Sequence, residues 1–216
     1  MQKRPEEADQ LFNDLLIGVT QFFCDPEAFE SLARDVVPKL FEDKNSDAQV
    51  RACVVGCASG EEAYSIAILL CEHVVTITNP PKIQIFATDI DDRGLETARK
   101  GRCPESIGEH VTPETPERLE RFFIKQDSAY QVKREVRELC IFSNHSFIKD
   151  PPFSRLDLIS CRNVMIYVGA ELQQRMVPLF HYALRRGGYL FLGPSENVTA
   201  HGELFRTVDK KHRIPA

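Results

Sequence analysis

The run Val54-Val55-Gly56-Cys57-Ala58-Ser59-Gly60-Glu61-Glu62-Ala63-Tyr64-Ser65 constrains this chain more than any other stretch. An apolar segment leads into two closely spaced glycines, and a helical pattern begins directly after them. A strand, a glycine turn and a helix N-terminus form a corner suited to nucleotide-type ligands. The glycines let the backbone come close, and the first helical N–H groups are free to donate. Glu61 and Glu62 make the corner a poor phosphate cradle, because like charges would meet. They suit a ligand with a cationic or amino end, and S-adenosylmethionine, a sulfonium with an ammonium, is such a ligand. A tight turn capped by Ser59 would account for the same glycines with no ligand at all, so the loop alone is a weak signal.

The next apolar run, Lys82-Ile83-Gln84-Ile85-Phe86-Ala87-Thr88-Asp89-Ile90-Asp91, reads as a second buried strand that ends in a carboxylate, Asp89. In doubly wound folds an acidic residue at this place accepts hydrogen bonds from the ribose diol of an adenosine ligand. The competing role is N-cap of the following helix. Asp91 or Asp92 would serve that purpose equally well, which favours the ribose role for Asp89.

Strands and helices alternate along the rest of the chain, as in an α/β fold with a mostly parallel sheet. An amphipathic helix is expected over Pro5–Leu16, and a second from Asp25-Pro26 through Leu40. Strand one covers Val50–Gly56 and its helix Glu61–Val75. Asn79-Pro80-Pro81 breaks the chain before strand two, and the helix from Asp91 ends at Gly101. Residues 102–137 depart from the alternation and read as a small inserted annex, with a short helix near Pro116–Phe123 and strand-like residues at Tyr130–Lys133. Strand three is expected at Glu138–Ser143, strand four at Leu156–Cys161 and a helix at Ala170–Leu184. Gly187-Gly188 then turns into strand five. Leu204–Val208 and His212–Ile214 form a closing antiparallel hairpin. The domain organisation is therefore a helical segment over 1–40 and a ligand-binding α/β domain over 41–216 that contains the 102–137 insertion.

Asp150-Pro151-Pro152-Phe153-Ser154-Arg155-Leu156-Asp157-Leu158-Ile159-Ser160-Cys161-Arg162-Asn163-Val164-Met165-Ile166-Tyr167 resembles the signature of CheR-type methyltransferases, the protein-glutamate O-methyltransferases of bacterial chemotaxis. Thr20-Gln21-Phe22-Phe23-Cys24-Asp25-Pro26 is similar to the family's Thr-x-Phe-Phe-Arg-Asp-Pro motif. Gly56 to Ser65, Ala87 to Asp91 and Gly187 to Asn197 match three further family segments in the right order. The wording Pro-Pro-Phe-Ser-Arg-Leu-Asp is most similar to hybrid proteins that join a CheB-like esterase, a CheR-like domain and sensor domains. The resemblance implies a Rossmann-like class I fold, with a small inserted β-subdomain over 102–137, and S-adenosylmethionine as cofactor, with S-adenosylhomocysteine as product. The implied acceptor is a glutamate of a signalling protein of the chemoreceptor kind.

The resemblance places Thr20, Gly56, Gly60, Glu62, Asp89, Ser146, Phe147, Asn163 and Val164 around the cofactor, with Glu62 at its amino end and Asp89 at its ribose. Tyr167, one turn from Asn163 if that segment is helical, either orients the acceptor carboxylate or packs as a rim aromatic. Methyl transfer to a carboxylate needs no strong base, since the acceptor is already anionic near neutral pH. It needs alignment and correct electrostatics. Cys24 stands where the family has arginine, and a thiol cannot grip a carboxylate at two points as a guanidinium does. Ser146 stands where the family carries asparagine, and Gly18 offers no side chain at an often polar position. These departures open an alternative, a cofactor-binding regulatory module with weak or no turnover. A dinucleotide oxidoreductase is disfavoured by the acidic loop and by the lack of a three-glycine fingerprint.

A net charge of −5 argues against a general nucleic-acid binder. No apolar run reaches membrane-spanning length, so no membrane insertion is expected. The seven cysteines, an odd number lying mostly in apolar runs, read as reduced thiols of a cytoplasmic protein. Neither they nor the six histidines are spaced as metal ligands.

Overall fold

The computed structural model describes residues 20–111, 117–198, 201–209 and 211–216, so the helix expected over 5–16 lies outside the described residues. The described chain opens on α1 (Pro26–Ser31), a π-helical turn over Leu32–Val36 and α2 (Val37–Phe41). Next come β1 (Gln49–Val55), α3 (Glu61–Val74), β2 (Lys82–Asp89) and α4 (Asp92–Lys100). The insertion contains β3 (Arg102–Pro104), α5 (Gly108–Val111), α6 (Glu117–Phe122), β4 (Phe123–Gln126), β5 (Ala129–Val132) and α7 (Arg134–Arg137). The chain closes with β6 (Cys140–Asn144), β7 (Leu156–Cys161), α8 (Ala170–Ala183), β8 (Leu184–Leu192), β9 (Thr207–Asp209) and β10 (Ile214–Pro215).

Five strands form one parallel sheet in the order β6-β2-β1-β7-β8. Parallel neighbours need crossover connections, so apolar layers cover both faces. Alternate residues of β1 serve the two layers. Val50, Ala52 and Val54 join Phe29, Leu32, Leu40, Ile66 and Leu70 on one face. Cys53 and Val55 join Met176, Val177 and Phe180 of α8 on the other. The chain runs outward from β1 to β2 and β6, then crosses back to β7 on the other side of β1. That reversal leaves a crevice at the carboxyl ends of β1 and β7, where ligands of such sheets bind.

Three elements differ from the sequence expectation, each for a local reason. The helix from Pro26 to Phe41 is interrupted by a π turn immediately before Pro38, which has no N–H to donate and whose ring crowds the preceding turn. Strand pairing in β8 starts at Leu184 rather than after the glycines. Leu184 pairs with Leu156 but Tyr189 with Leu158, so Arg185–Gly188 bulges out and Gly187 takes φ 77°. The closing hairpin is antiparallel as expected but sits further along the chain, and the Leu192 N–H donates to Arg213 O at 3.2 Å to join it to β8.

The insertion has its own three-stranded antiparallel sheet, β3-β5-β4. Two residues, Asp127 and Ser128, connect β4 to β5, with Asp127 at φ 52°. Cys103, Ile107, Phe122, Phe123 and Val132 belong to the same apolar cluster as α1–α3, so the subdomain is rooted in the main core. Phe180 is wholly buried in the second layer, its ring tilted against Phe147 at 4.8 Å. Phe180→Ala should lower stability by about 3–5 kcal/mol. Denaturant unfolding midpoints of the two proteins, at unchanged slope, give the measurement.

Candidate functional site

The carboxyl ends of β1, β2 and β7 lie side by side, with Val55 level with both Thr88 and Cys161. The loop after β1 has the backbone that its glycines imply. Gly56 and Gly60 have φ of 68° and 95°, and Ala58 between them has 44°. A Cβ on Gly56 would lie 2.5 Å from Val164 Cγ2, so this glycine is required by close approach as well as by φ. The Gly60 N–H closes the turn on Cys57 O, and α3 starts at Glu61 with Gly60 as its N-cap.

Asp89 ties the corner together. Its Oδ2 accepts from the Ala58 N–H at 2.7 Å, and its Oδ1 accepts from Ile90 and Asp91 N–H at 2.7 and 3.0 Å. The helix cap is Asp91, which accepts from Arg93 and Gly94 N–H, so the capping role proposed against Asp89 belongs to its neighbour. The Asp89 carbonyl accepts from the His145 N–H, which brings the end of β6 to the same corner. There Ser146 Oγ accepts from the Lys149 N–H in a local turn, and the Phe147 ring is buried in the core.

Glu62 projects from the first turn of α3. Its Oε1 accepts from the Ser160 hydroxyl at 2.7 Å, whereas among the described residues Oε2 has only the Arg162 Nε, 3.8 Å away. Burial pushes its carboxyl up to about 7, against the pull of Arg162 and the Ser160 hydrogen bond, with Glu196 adding to the rise.

Two buried charged residues that the motifs alone did not assign organise the rest. Glu196 is 3% exposed and accepts four backbone N–H groups: those of Asn163, Val164, Met165 and Gly193, all between 2.7 and 3.0 Å. This carboxylate fixes the loop after β7, in which Asn163 adopts φ 58°. Arg162 donates to Leu192 O, Cys24 O and Asp25 Oδ2 at 3.2, 3.1 and 3.4 Å, and its guanidinium lies 4.4 Å from the Phe191 ring centre. Both residues fall within family-like segments of the sequence. A charged side chain shortly after a strand with an apolar end, Leu158-Ile159 before Arg162 and Leu190-Phe191-Leu192 before Glu196, was the signal that could have found them.

The Thr20–Pro26 segment is anchored by its aromatics and leaves its polar positions outside. Phe22 and Phe23 are buried, Phe22 edge-on to Phe123 at 5.2 Å. Arg118 of α6 stacks on the Phe23 ring at 4.5 Å and pairs with Glu72 through two bonds of 2.7 and 2.9 Å. The Phe23 N–H donates to Ser65 Oγ, and Phe23 and Asp25 both have positive φ, 50° and 69°. Aspartate adopts such an angle readily, but a phenylalanine holds it only where packing imposes it, a form of strain that concentrates at functional sites. Cys24 between them is exposed. Thr20 is half-buried at the start of the segment. Tyr167 ends a 3₁₀ turn over Met165–Tyr167 and is 53% exposed, so the α-helical spacing expected from Asn163 does not apply. Among the described residues, no group of three or more His, Cys, Asp or Glu side chains is placed to hold a metal.

The structure thus gathers Gly56, Gly60, Glu62, Asp89, Asn163 and Val164 at one crevice, with Cys24 joined to it through Arg162. The profile described as CheR methyltransferase, SAM binding domain, matches residues 18–214. The chain belongs to this family. It is 39% identical over 208 residues to an uncharacterized 104.1 kDa protein in the hypE 3' region of Rhodobacter capsulatus, covering 96% of this chain and 22% of that protein. It is 34% identical over 194 residues to a chemotaxis protein methyltransferase of Listeria innocua, covering 88% of this chain and 69% of that one. A chemotaxis protein methyltransferase of Borreliella burgdorferi is 31% identical over 201 residues, 90% of this chain and 70% of the relative.

S-adenosylmethionine is the cofactor of this CheR domain, and the residues fit it. The glycines let the loop backbone turn tightly against Val164 and Ala98, Glu62 Oε2 has no hydrogen bond among the described residues, and Asp89 Oδ2 has accepted only one of the two hydrogen bonds a carboxylate oxygen can take. The Glu196 carboxylate is the support on which this geometry rests. Glu196→Gln turns one acceptor oxygen into a donor that faces N–H groups. Each buried N–H left without a partner costs about 1–3 kcal/mol, so stability should fall by roughly 2 kcal/mol or more. Chemical denaturation measures this, and calorimetry on the folded mutant should show weakened binding of S-adenosylhomocysteine.

Proposed function

We propose that this domain transfers the methyl group of S-adenosylmethionine to a glutamate carboxylate of a chemoreceptor-like signalling protein. The observation that carries the reading is the crevice at the β1–β7 reversal. It offers a carboxylate for an amino end, a carboxylate for a ribose and a strained exposed turn at Cys24, within a chain of the CheR family. When bound, S-adenosylmethionine supplies a sulfonium methyl that a carboxylate oxygen can take, leaving neutral S-adenosylhomocysteine and no proton to move.

The residues of the chain then have binding and aligning roles. Glu62 Oε2 accepts from the ammonium. Asp89 Oδ2 takes one ribose hydroxyl rather than two, because the Ala58 N–H already occupies its other acceptor site. Val164 closes over Gly56, and Asn163 presents its amide from a turn that Glu196 holds rigid. Thr20 and Ser146 keep the roles around the cofactor that the family resemblance implies, and Phe147 supports the crevice through packing rather than through a ring face offered to the ligand. Tyr167, exposed at the end of the 3₁₀ turn, is the aromatic available to orient an acceptor. The inserted subdomain carries the contact with the protein partner, and its packing on Phe22 and Phe23 links that contact to the Cys24 turn.

The setting we propose is cytoplasmic, with esterase and sensor domains fused or adjacent. Two observations support it. Among the described residues no helix is long and apolar enough to cross a membrane. The Rhodobacter relative is a 104.1 kDa protein of which the match spans 22%.

Cys24 is the point at which an active enzyme and a regulatory module separate. Its thiol cannot hold an acceptor carboxylate, so transfer should be slow. Cys24→Arg should raise the single-turnover rate at saturating cofactor by about tenfold or more, since fixing the acceptor in line is worth several kcal/mol in favourable cases. Part of that gain is offset because pairing makes the carboxylate a weaker nucleophile. A radiolabelled methyl-transfer assay on a glutamate-bearing receptor fragment tests both proteins. Slow transfer by wild type and faster transfer by the arginine variant support an enzyme. Inertness of both, with cofactor bound by both, replaces this reading with a regulatory module.

A further inference from the structure

Arg162 is an unusual residue to find at the end of a fully buried strand. Its side chain is 2% exposed, and a guanidinium keeps its charge in any such site. Its N–H groups divide among three elements: Leu192 O at the end of β8, the Cys24–Asp25 turn, and Glu62 at the start of α3. The Phe191 and Phe29 rings, at 4.4 and 5.5 Å, wall it off from water. The three separations are not alike. The carbonyls of Leu192 and Cys24 are hydrogen-bonded at 3.2 and 3.1 Å, whereas Glu62 Oε2 stands at 3.8 Å, beyond hydrogen-bond reach. At that distance in a poorly solvated site the positive charge still acts strongly on the carboxylate, yet it leaves the oxygen free to accept from a ligand.

We infer that Arg162 is a positioning residue for cofactor recognition: it favours the ionised form of Glu62 without occupying its oxygen, and it pins the Cys24 turn to the same charge. The inference rests on the proposal that Glu62 receives the ammonium of the cofactor. Of the other described groups facing Glu62, only the Ser160 hydroxyl also favours ionisation, through its hydrogen bond; the rest oppose it or are neutral. Glu196 repels it, and the Cys57 and Cys161 thiols are held protonated by burial. Ser160 donates the one hydrogen bond, and Glu61 turns away to accept from Ser59. Asp25, 39% exposed, lies on the far side of the guanidinium and shares its charge. Arg162 is therefore the cation that counters the desolvation of Glu62, whose carboxyl burial pushes up to about 7.

The sign of the pH effect follows. Below about 7 Glu62 is increasingly protonated and cannot pair with an ammonium, so affinity should rise as pH increases through that value. Removing the Arg162 charge removes an influence that lowers the midpoint, so the midpoint should move to higher pH.

The test is calorimetric titration of S-adenosylhomocysteine from pH 6 to 9 into wild type, Arg162→Gln, Arg162→Met, Arg162→Lys and Glu62→Gln. 5′-Methylthioadenosine, which lacks the amino-acid end, is titrated alongside. Arg162→Met is included because a thioether packs between two phenyl rings where a glutamine amide would be left unpaired. The uncharged variants should shift the midpoint of S-adenosylhomocysteine binding upward by about one unit, a loss of up to about tenfold at pH 7. Arg162→Lys should hold it near the wild-type value, Glu62→Gln should abolish this pH dependence, and 5′-methylthioadenosine should show none of these midpoint shifts. If the uncharged variants weaken both ligands equally at every pH with an unmoved midpoint, Arg162 is only a structural peg and the inference is wrong. If folded wild type binds 5′-methylthioadenosine but gains nothing from the amino-acid end, the assignment of Glu62 fails instead.

Discussion

Four backbone N–H groups converge on the buried carboxylate of Glu196, and the geometry of the crevice depends on that convergence. The loop after β7 has no regular hydrogen-bond ladder of its own: Asn163 turns the chain at φ 58° and only a 3₁₀ turn follows. A carboxylate with two oxygens can satisfy several N–H donors at once, which no neutral side chain of that size does. Once the loop is fixed, Val164 lies against Gly56, and the first and third motifs of the chain meet across the sheet. Asp89 plays the corresponding part on the other flank, binding the Ala58 N–H of the glycine loop and the two N–H groups that follow it. The corner is thus held by two carboxylates whose acceptor sites are largely filled by backbone.

The residues proposed to meet the ligand were more legible in the sequence than the residues that hold them in place. Gly56, Gly60 and Asp89 could be found because a glycine after an apolar run and a carboxylate at a strand end each serve a narrow set of purposes. The parallel sheet was readable for a similar reason, since Val50–Val55 and Leu156–Cys161 carry apolar residues on both alternating faces, interrupted by Arg51 in the first and by Asp157 and Ser160 in the second. Arg162 and Glu196 were visible as letters of a motif, but their partners are backbone atoms of Cys24, Leu192, Gly193 and Asn163, and a sequence pattern does not reveal carbonyl and N–H pairings. The β8 bulge was missed because Gly187-Gly188 signals a turn equally well, and only the register against Leu156 and Leu158 distinguishes the two. Tyr167 was placed by helical spacing, whereas the local backbone is too tightly wound for that rule.

The departure at Cys24 acquires a physical context. A positive charge is present beside this turn, but it belongs to Arg162 and is committed to Cys24 O, Leu192 O and the neighbouring carboxylates. On the proposed reading it supports the cofactor side of the crevice rather than the acceptor side, and Cys24 offers no guanidinium for gripping an acceptor. Binding and turnover would then be separable in a way that the family pattern alone does not suggest.

The central claim is that the corner formed by β1, β2 and β7 binds an adenosine ligand through Asp89. Calorimetric titration of S-adenosylhomocysteine into wild type and Asp89→Ala tests it most directly, with thermal unfolding run in parallel to confirm that the mutant is folded. Wild type should bind one ligand per chain. The mutant should bind more weakly by about 1.5–3 kcal/mol, the range for a hydrogen bond to a charged group. Equal affinities in two folded proteins would contradict the account.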